Sequence, residues 1–295
     1  MNLRLLIFLF CSFTLTNTII KGQEKGLLDE LEQESSNENA LYLSLFKSTN
    51  VVLTPSVVQL AKGELQFRVS HVFGTVTSGI EELYGLDEIY NVDISFDYGI
   101  SERLSIGIAR SSDFDKTLQS KIKYSILRQN STNTSPISLI YFGGINIRTR
   151  QYDIERDFVD RLEYISQLII GKKFSDSFST QLSGAFIHLN RVPSKSHPNT
   201  IGLTSLGASY SLTRSANLNV EYVYIIPTFD NEIYDGNKNI LSVGLDLETG
   251  GHVFQVFITN SNRLQLSGMA QQWNNDNFFE GDVHIGFSIM RSFNL

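Results

Sequence analysis

Cysteine is almost missing: Cys11 is the only one in 295 residues. Neither a disulfide framework nor a thiolate metal site can be built from it. Nor does Cys11 suit lipidation, which needs a small residue before it where Phe10 stands. Proline (5) and tryptophan (1) are also scarce. After residue 22 no stretch has the roughly 18 consecutive apolar residues that a membrane-spanning helix needs. Positive charge is in deficit, with 24 Lys+Arg against 31 Asp+Glu and a formal net charge of -7. That balance gives no basic surface for phosphate backbones and argues against a nucleic-acid partner. No Walker or dinucleotide fingerprint is present, so no nucleotide cofactor is indicated.

Phenylalanine (20) and tyrosine (12) are plentiful, a mix that suits strands joined by polar loops. The first 22 residues have the form of a signal peptide: Arg4 supplies the positive start, Leu5 to Phe10 the apolar run, and small residues near Gly22 allow cleavage before Gln23. Residues 23–62 read as a periplasmic N-terminal segment, polar and acidic at first, then extended, with Pro55 breaking any helix. Residues 63–295 form the third division, and there the pattern changes.

From Gly63 onward, segments of about ten residues alternate apolar and polar, the period of a strand with different environments on its two faces. Leu65, Phe67, Val69, His71 and Phe73 share one face, opposite Glu64, Gln66, Arg68 and Ser70. Val92, Ile94, Phe96, Tyr98 and Ile100 likewise oppose Asp93, Ser95 and Asp97. The remaining candidates are 104–110, 118–128, 137–147, 162–173, 178–189, 201–212, 217–225, 240–248, 252–260 and 282–293. Tight connections are expected at Ser101–Arg103, Ser175–Ser177, Thr213–Ser215 and Thr249–Gly251, with a slightly longer one at Gln129–Ser135. Between them fall longer loops at 74–91, 111–117, 148–161, 190–200, 226–239 and 261–281. Alternating short and long connections predict an all-β, transmembrane antiparallel up-and-down β-barrel of about twelve strands, with short periplasmic turns and long external loops. Ile106, Ile122, Leu182, Val220 and Val256 are among the residues expected to face lipid, and Tyr98, Tyr124, Tyr141, Phe178, Tyr222 and Phe293 among the interfacial aromatics.

Several blocks resemble a domain-of-unknown-function family of bacterial outer-membrane β-barrel proteins. They are Phe46-Lys47-Ser48-Thr49, the run Lys62 to Gly74, Leu83-Tyr84-Gly85-Leu86-Asp87, Phe96 to Ile100, Arg103 to Ile108, His252-Val253-Phe254-Gln255, Thr259-Asn260-Ser261, and Gly281-Asp282 with Ile285-Gly286-Phe287. The resemblance spans residues 44 to 295. It implies a barrel in the outer membrane and carries over no catalytic residue.

Strand phase places Glu64, Arg68, Asp93, Asp97, Lys121, Lys123, Arg161, Glu163, Glu221, Asp246, Glu248, Asp282 and His284 in the lumen. Charges of both signs there either pair to stiffen the interior or line a narrow channel for a small polar solute. Phe46 to Leu60 could fold into the barrel and partly occlude it. Loops 74–91 and 226–239 are acidic, but their spacing fits no calcium loop, and no metal site is expected. Loop 148–161 mixes Arg148, Arg150, Arg156 and Arg161 with acids, to contact lipopolysaccharide phosphates or to pair internally. Gly143-Gly144 marks a bulge or close packing. An outer-membrane lipid or ester hydrolase would need a serine beside an outward histidine; His71 and His188 face outward, yet no serine is placed beside either. The leading expectation is a narrow channel, or a binding and scaffold barrel, without cofactor. Its expected partners are outer-membrane lipids, lipopolysaccharide, a small polar solute and a periplasmic protein.

Overall fold

The computed structural model describes residues 42–151, 156–192, 197–226, 239–271 and 277–295. The chain divides into two units, Met1–Leu41 and Tyr42–Leu295. The expected signal peptide and the acidic stretch after it lie outside the described residues, whereas residues 42–62 belong to the same unit as the strands.

The strands are β1 (Glu64–Thr75), β2 (Ile89–Ser101), β3 (Leu104–Ser111), β4 (Thr117–Leu127), β5 (Ser138–Arg148) and β6 (Leu162–Lys173). The second half continues with β7 (Phe178–Leu189), β8 (Thr200–Ser211), β9 (Ala216–Ile226), β10 (Ile240–Thr249), β11 (His252–Thr259) and β12 (His284–Asn294). Each pairs antiparallel with its neighbours, and β1 pairs with β12 from Glu64↔Asn294 to Thr75↔His284, which closes the barrel. Closure matters because it leaves no edge strand to present a row of unpaired N–H and C=O groups to lipid.

Side chains alternate along each strand. In β7, Ser179, Gln181, Ser183, Ala185 and Ile187 are buried, while Leu182 and Phe186 point out. The outer belt includes Ile106, Ile122, Ile145, Leu168, Leu218 and Val256, and its exposure is large: Ile108 56%, Leu206 56%, Phe186 65%. A continuous ring of such residues has no place against water and suits the acyl chains of a bilayer. Of the aromatic residues expected at the interfaces, Tyr98, Tyr124, Tyr141, Phe178, Tyr222, Tyr224 and Phe293 are exposed on this outer surface, while Phe73, also expected there, is half-buried.

Two expectations need correction. Loop lengths do not alternate without a break: residues 112–116 form a shorter connection than residues 128–137, the reverse of the rule elsewhere. The β3–β4 connection can be short because Asp113 turns it tightly, accepting from Thr117 N at 3.2 Å. Second, Gly143 and Gly144 make no bulge. The β4–β5 register runs straight through them and shifts instead between Ser125 and Leu127. Their small size serves close packing, since a Cβ on Gly143 would meet Ile122 Cγ2 at 3.2 Å.

Candidate functional site in the barrel interior

The interior is filled from both ends. At the end that carries the tight turns, the segment leading into β1 enters the barrel. Tyr42 bridges Asn130, and Leu43 N donates to Gln129 O at 3.0 Å. The chain then turns back on itself at 49–56: Val51 N donates to Thr54 O and Ser56 N to Thr49 O, each at 2.9 Å, and Asn50 Nδ2 donates to Leu53 O at 2.8 Å. Asparagine, proline and β-branched residues suit this tight hairpin better than a helix. Val51, Val52, Leu53, Thr54 and Ser56 are all buried.

Single wall side chains hold this inner segment by its backbone. Glu221 of β9 accepts from Leu53 N at 2.7 Å and from Thr54 N at 3.2 Å, and also from Thr54 Oγ1. Gln181 of β7 both donates to Pro55 O at 2.9 Å and accepts from Val57 N at 3.1 Å. Gln255 of β11 donates to Val51 O at 2.8 Å, and Lys123 of β4 donates to Val58 O. At the rim, Lys47 pairs with Glu248 at 2.6 Å. The wall makes room by omitting side chains. Cβ atoms on Gly171 and Gly207 would lie 2.8 Å from Leu45 Cδ2 and 3.1 Å from Val51 Cγ1.

From the opposite end, the β11–β12 connection folds inward and forms a short helix, α1 (Leu266–Ala270). Gln265 donates to Asp93 at 2.7 Å, Asn146 donates to Ser267 Oγ at 2.6 Å, and Arg148 donates to Gln271 at 2.9 Å. Leu266, Met269 and Ala270 join Val51, Val52 and Leu53 in one apolar cluster with Ile165, Ile169, Ile187, Leu203 and Val223 of the wall. The interior is thus not simply wet and charged. The arc from β6 to β9 turns aliphatic side chains inward against the two inserted segments, beside Gln181 and Glu221, and the cations Arg68, Lys121, Lys123 and Arg148 stand on the arc from β1 to β5.

On that charged arc Arg68 pairs with Asp93 at 3.4 Å, and Lys121 with Asp97 at 2.8 Å. Asp97, Gly107 and Lys121 form one lateral row across three strands. Gly107 has no side chain to keep Lys121 from reaching across to Asp97; a Cβ there would meet Lys121 Cε at 2.8 Å. Glu163 is buried, pairs with Arg148 at 2.6 Å, and also accepts from Asn146 at 3.1 Å. Asp246 is buried and accepts from Gln255 at 2.6 Å. Glu64 and Glu248 stand at the rim, where Glu64 accepts from Ala61 N at 2.9 Å. His284 is buried beside Phe73, its Nδ1 2.9 Å from the Phe73 carbonyl.

Two candidates do not sit on strands. Arg161 ends a 3-10 turn, Val159–Arg161, before β6 and donates to Arg150 O at 3.4 Å. Asp282 lies in the loop before β12, where it accepts from Asn277 N at 3.1 Å. Asp282 falls outside because β12 starts at His284 rather than at 282, whereas Arg161 lies just before the expected strand 162–173, with which β6 coincides. Sequence reading passed over Gln181, Gln255, Asn146 and Gln265, because neutral amides carry no charge signal. The inward strand phase of Gln181, Gln255 and Asn146 is the feature that marks them, whereas Gln265 lies in the β11–β12 connection and has no such signal.

Above α1 lies a vestibule lined by Arg148, Arg156, Arg191, Arg263, Asp113 and Asp115. Burial pushes the Asp113 carboxyl up from its ordinary value, and the Arg263 charge opposes that shift. Arg148 pairs internally rather than reaching outward, and Arg150 stacks on Phe114 at 3.6 Å. The acidic loop residues Asp230, Glu232 and Asp235, like Asp153 and Glu155, lie outside the described residues. Among the described residues no group of His, Asp and Glu is placed to hold a metal ion.

A family model described as a membrane-bound beta barrel domain matches residues 46–293. The chain belongs to this family. The match begins at Phe46, so it takes in the inner segment as well as the wall. A comparison with curated proteins gives no match. Among solved structures, the chain is similar to the KdgM porin in complex with disordered oligogalacturonate (9% identity, TM-score 0.49, 78% of this chain and 99% of that one). It is also similar to the NanC porin (9%, 0.48, 78% and 100%) and to an outer membrane channel from Pseudomonas putida F1 (14%, 0.47, 80% and 97%). A membrane-bound, closed, antiparallel barrel with an apolar belt is the outer-membrane architecture. On its lipid-facing surface, His188 Nδ1 bonds Thr200 Oγ1 at 2.8 Å, and His71 packs against Phe73 and Phe287. Thr200 is the residue that faces His188 across the β7–β8 ladder.

Proposed function

We propose that this protein is a narrow outer-membrane channel for small polar solutes, held closed by its own N-terminal segment. One observation carries the reading. The wall closes through β1 and β12 without help from residues 44–60, which touch it only through side-chain hydrogen bonds and packing. A segment outside the ladder can leave without opening the barrel. Its departure would expose the charged arc of β1 to β5, the kind of lining that sets selectivity in a pore. No step of this reading needs a cofactor or a chemical reaction.

Deleting residues 44–60 and recording in planar bilayers tests it. The deletion variant is expected to conduct in long-lived steps, and the full chain to be nearly silent. Equal conductance of the two would overturn the gating segment. Silence of both, with the barrel folded, would favour a scaffold whose loops hold a partner.

A further inference from the structure

Between the inner segment, α1 and the charged arc lies a small cavity. Its lining mixes charge with apolar surface: Arg68, Lys121 and Lys123 line it together with Leu60, Phe142 and Leu264, and Phe142 stands directly beside Lys123 on the neighbouring strand. Three cations meet two carboxylates there, Asp93 and Asp97, and both carboxylates are taken: Asp93 by Arg68 and Gln265, Asp97 by Lys121. Lys123 is buried, and its acceptor is the Val58 carbonyl rather than a carboxylate. Arg68 Nε is buried with no hydrogen-bond partner. A buried cation without a counter-charge is costly, and a bound anion removes that cost.

We infer that this cavity is a binding site for a small amphipathic carboxylate, its head on Lys123, Arg68 and Lys121 and its apolar part on Leu60, Phe142 and Leu264. A simple inorganic anion would leave the apolar lining uncovered, and a neutral apolar molecule would leave the cations unmatched. The inference rests on the channel reading and names its solute class. Because the inner segment and α1 each supply part of the lining, the site exists only while the barrel is closed. Binding would then favour the closed state, and the solute would be held before it is released.

Isothermal titration of the refolded full chain in detergent tests this, with benzoate as the probe. Benzoate is expected to bind at one site, at least tenfold tighter than benzyl alcohol, which has the ring without the charge, and tenfold tighter than acetate, which has the charge without the ring. Lys123→Met and Arg68→Met should each weaken benzoate at least tenfold and leave benzyl alcohol unaffected. Benzoate binding no tighter than benzyl alcohol, or equal binding in both variants, overturns the inference. If a variant fails to fold, as judged by heat-dependent gel mobility, the three-probe comparison on the unmodified chain decides alone. The two readings fail separately: conductance that rises on deleting residues 44–60, with no benzoate binding, sinks only the solute class. Benzoate binding with unchanged conductance leaves a binding barrel and sinks the channel.

Discussion

Glu221 shows how one side chain can decide the state of the interior. It is buried on β9, and its carboxylate accepts from two consecutive backbone amides and a hydroxyl at the tip of the inner segment. Hydrogen bonds to a charged acceptor contribute about 1.5–3 kcal/mol each, and a buried amide left without one costs a comparable amount. Glu221→Gln keeps one acceptor oxygen but turns an NH2 toward donors. It is expected to loosen the tip while leaving the wall intact, read as frequent openings in bilayer recordings with normal heat-dependent gel mobility. Unchanged recordings would mean that the tip is held by packing alone. The charge of Glu221 and its inward phase were legible in the sequence; its partners were not, because they lie in a segment with no strand or helix period. The reverse holds for Arg161 and Asp282, whose charge suggested the lumen but whose strands begin after them.

At the scale of elements, the twelve strands were legible nearly to the residue, because two-faced alternation is a strong local signal wherever each face has its own solvent. The predicted 162–173 and 178–189 coincide with β6 and β7. What alternation could not convey is that the inside of β6 to β9 carries aliphatic side chains among its polar ones. There the sequence runs apolar on both faces, as in Leu168-Ile169-Ile170 and Tyr222 to Ile226, and Ile169 and Val223 pack against the inserted segments. The inward glycines told the same story and were unread: Gly171 leaves space for Leu45 and Val57. Gly171→Leu should therefore expel the inner segment without disturbing the strand, since leucine is acceptable in a ladder. The expected result is trypsin cleavage at Lys47 in the folded variant and protection in the parent. Equal protection would place the segment elsewhere.

At the scale of the whole molecule, two solvents exchange places relative to a water-soluble fold. The outside is the apolar belt, and the inside holds both a small aliphatic core and a charged cavity. The belt predicts a large asymmetry between the faces. Leu206→Arg, at the middle of β8 and facing out, should cost about 2–4 kcal/mol of stability in lipid vesicles, measured by urea unfolding. A cost near zero would argue that this face is not in the bilayer. The membrane-bound family to which the chain belongs extends over the inner segment, consistent with wall and filling being one folded unit.

The account stands or falls on whether residues 44–60 occupy the barrel. With Cys11 the sole cysteine, a Cys11→Ser background gives each introduced thiol an unambiguous signal. Ser56 is fully buried inside the barrel, and Thr213 is exposed on a turn. A charged maleimide should label Thr213→Cys rapidly in the folded protein and leave Ser56→Cys unlabelled until urea unfolds the barrel. Labelling of both at the same rate would contradict the account.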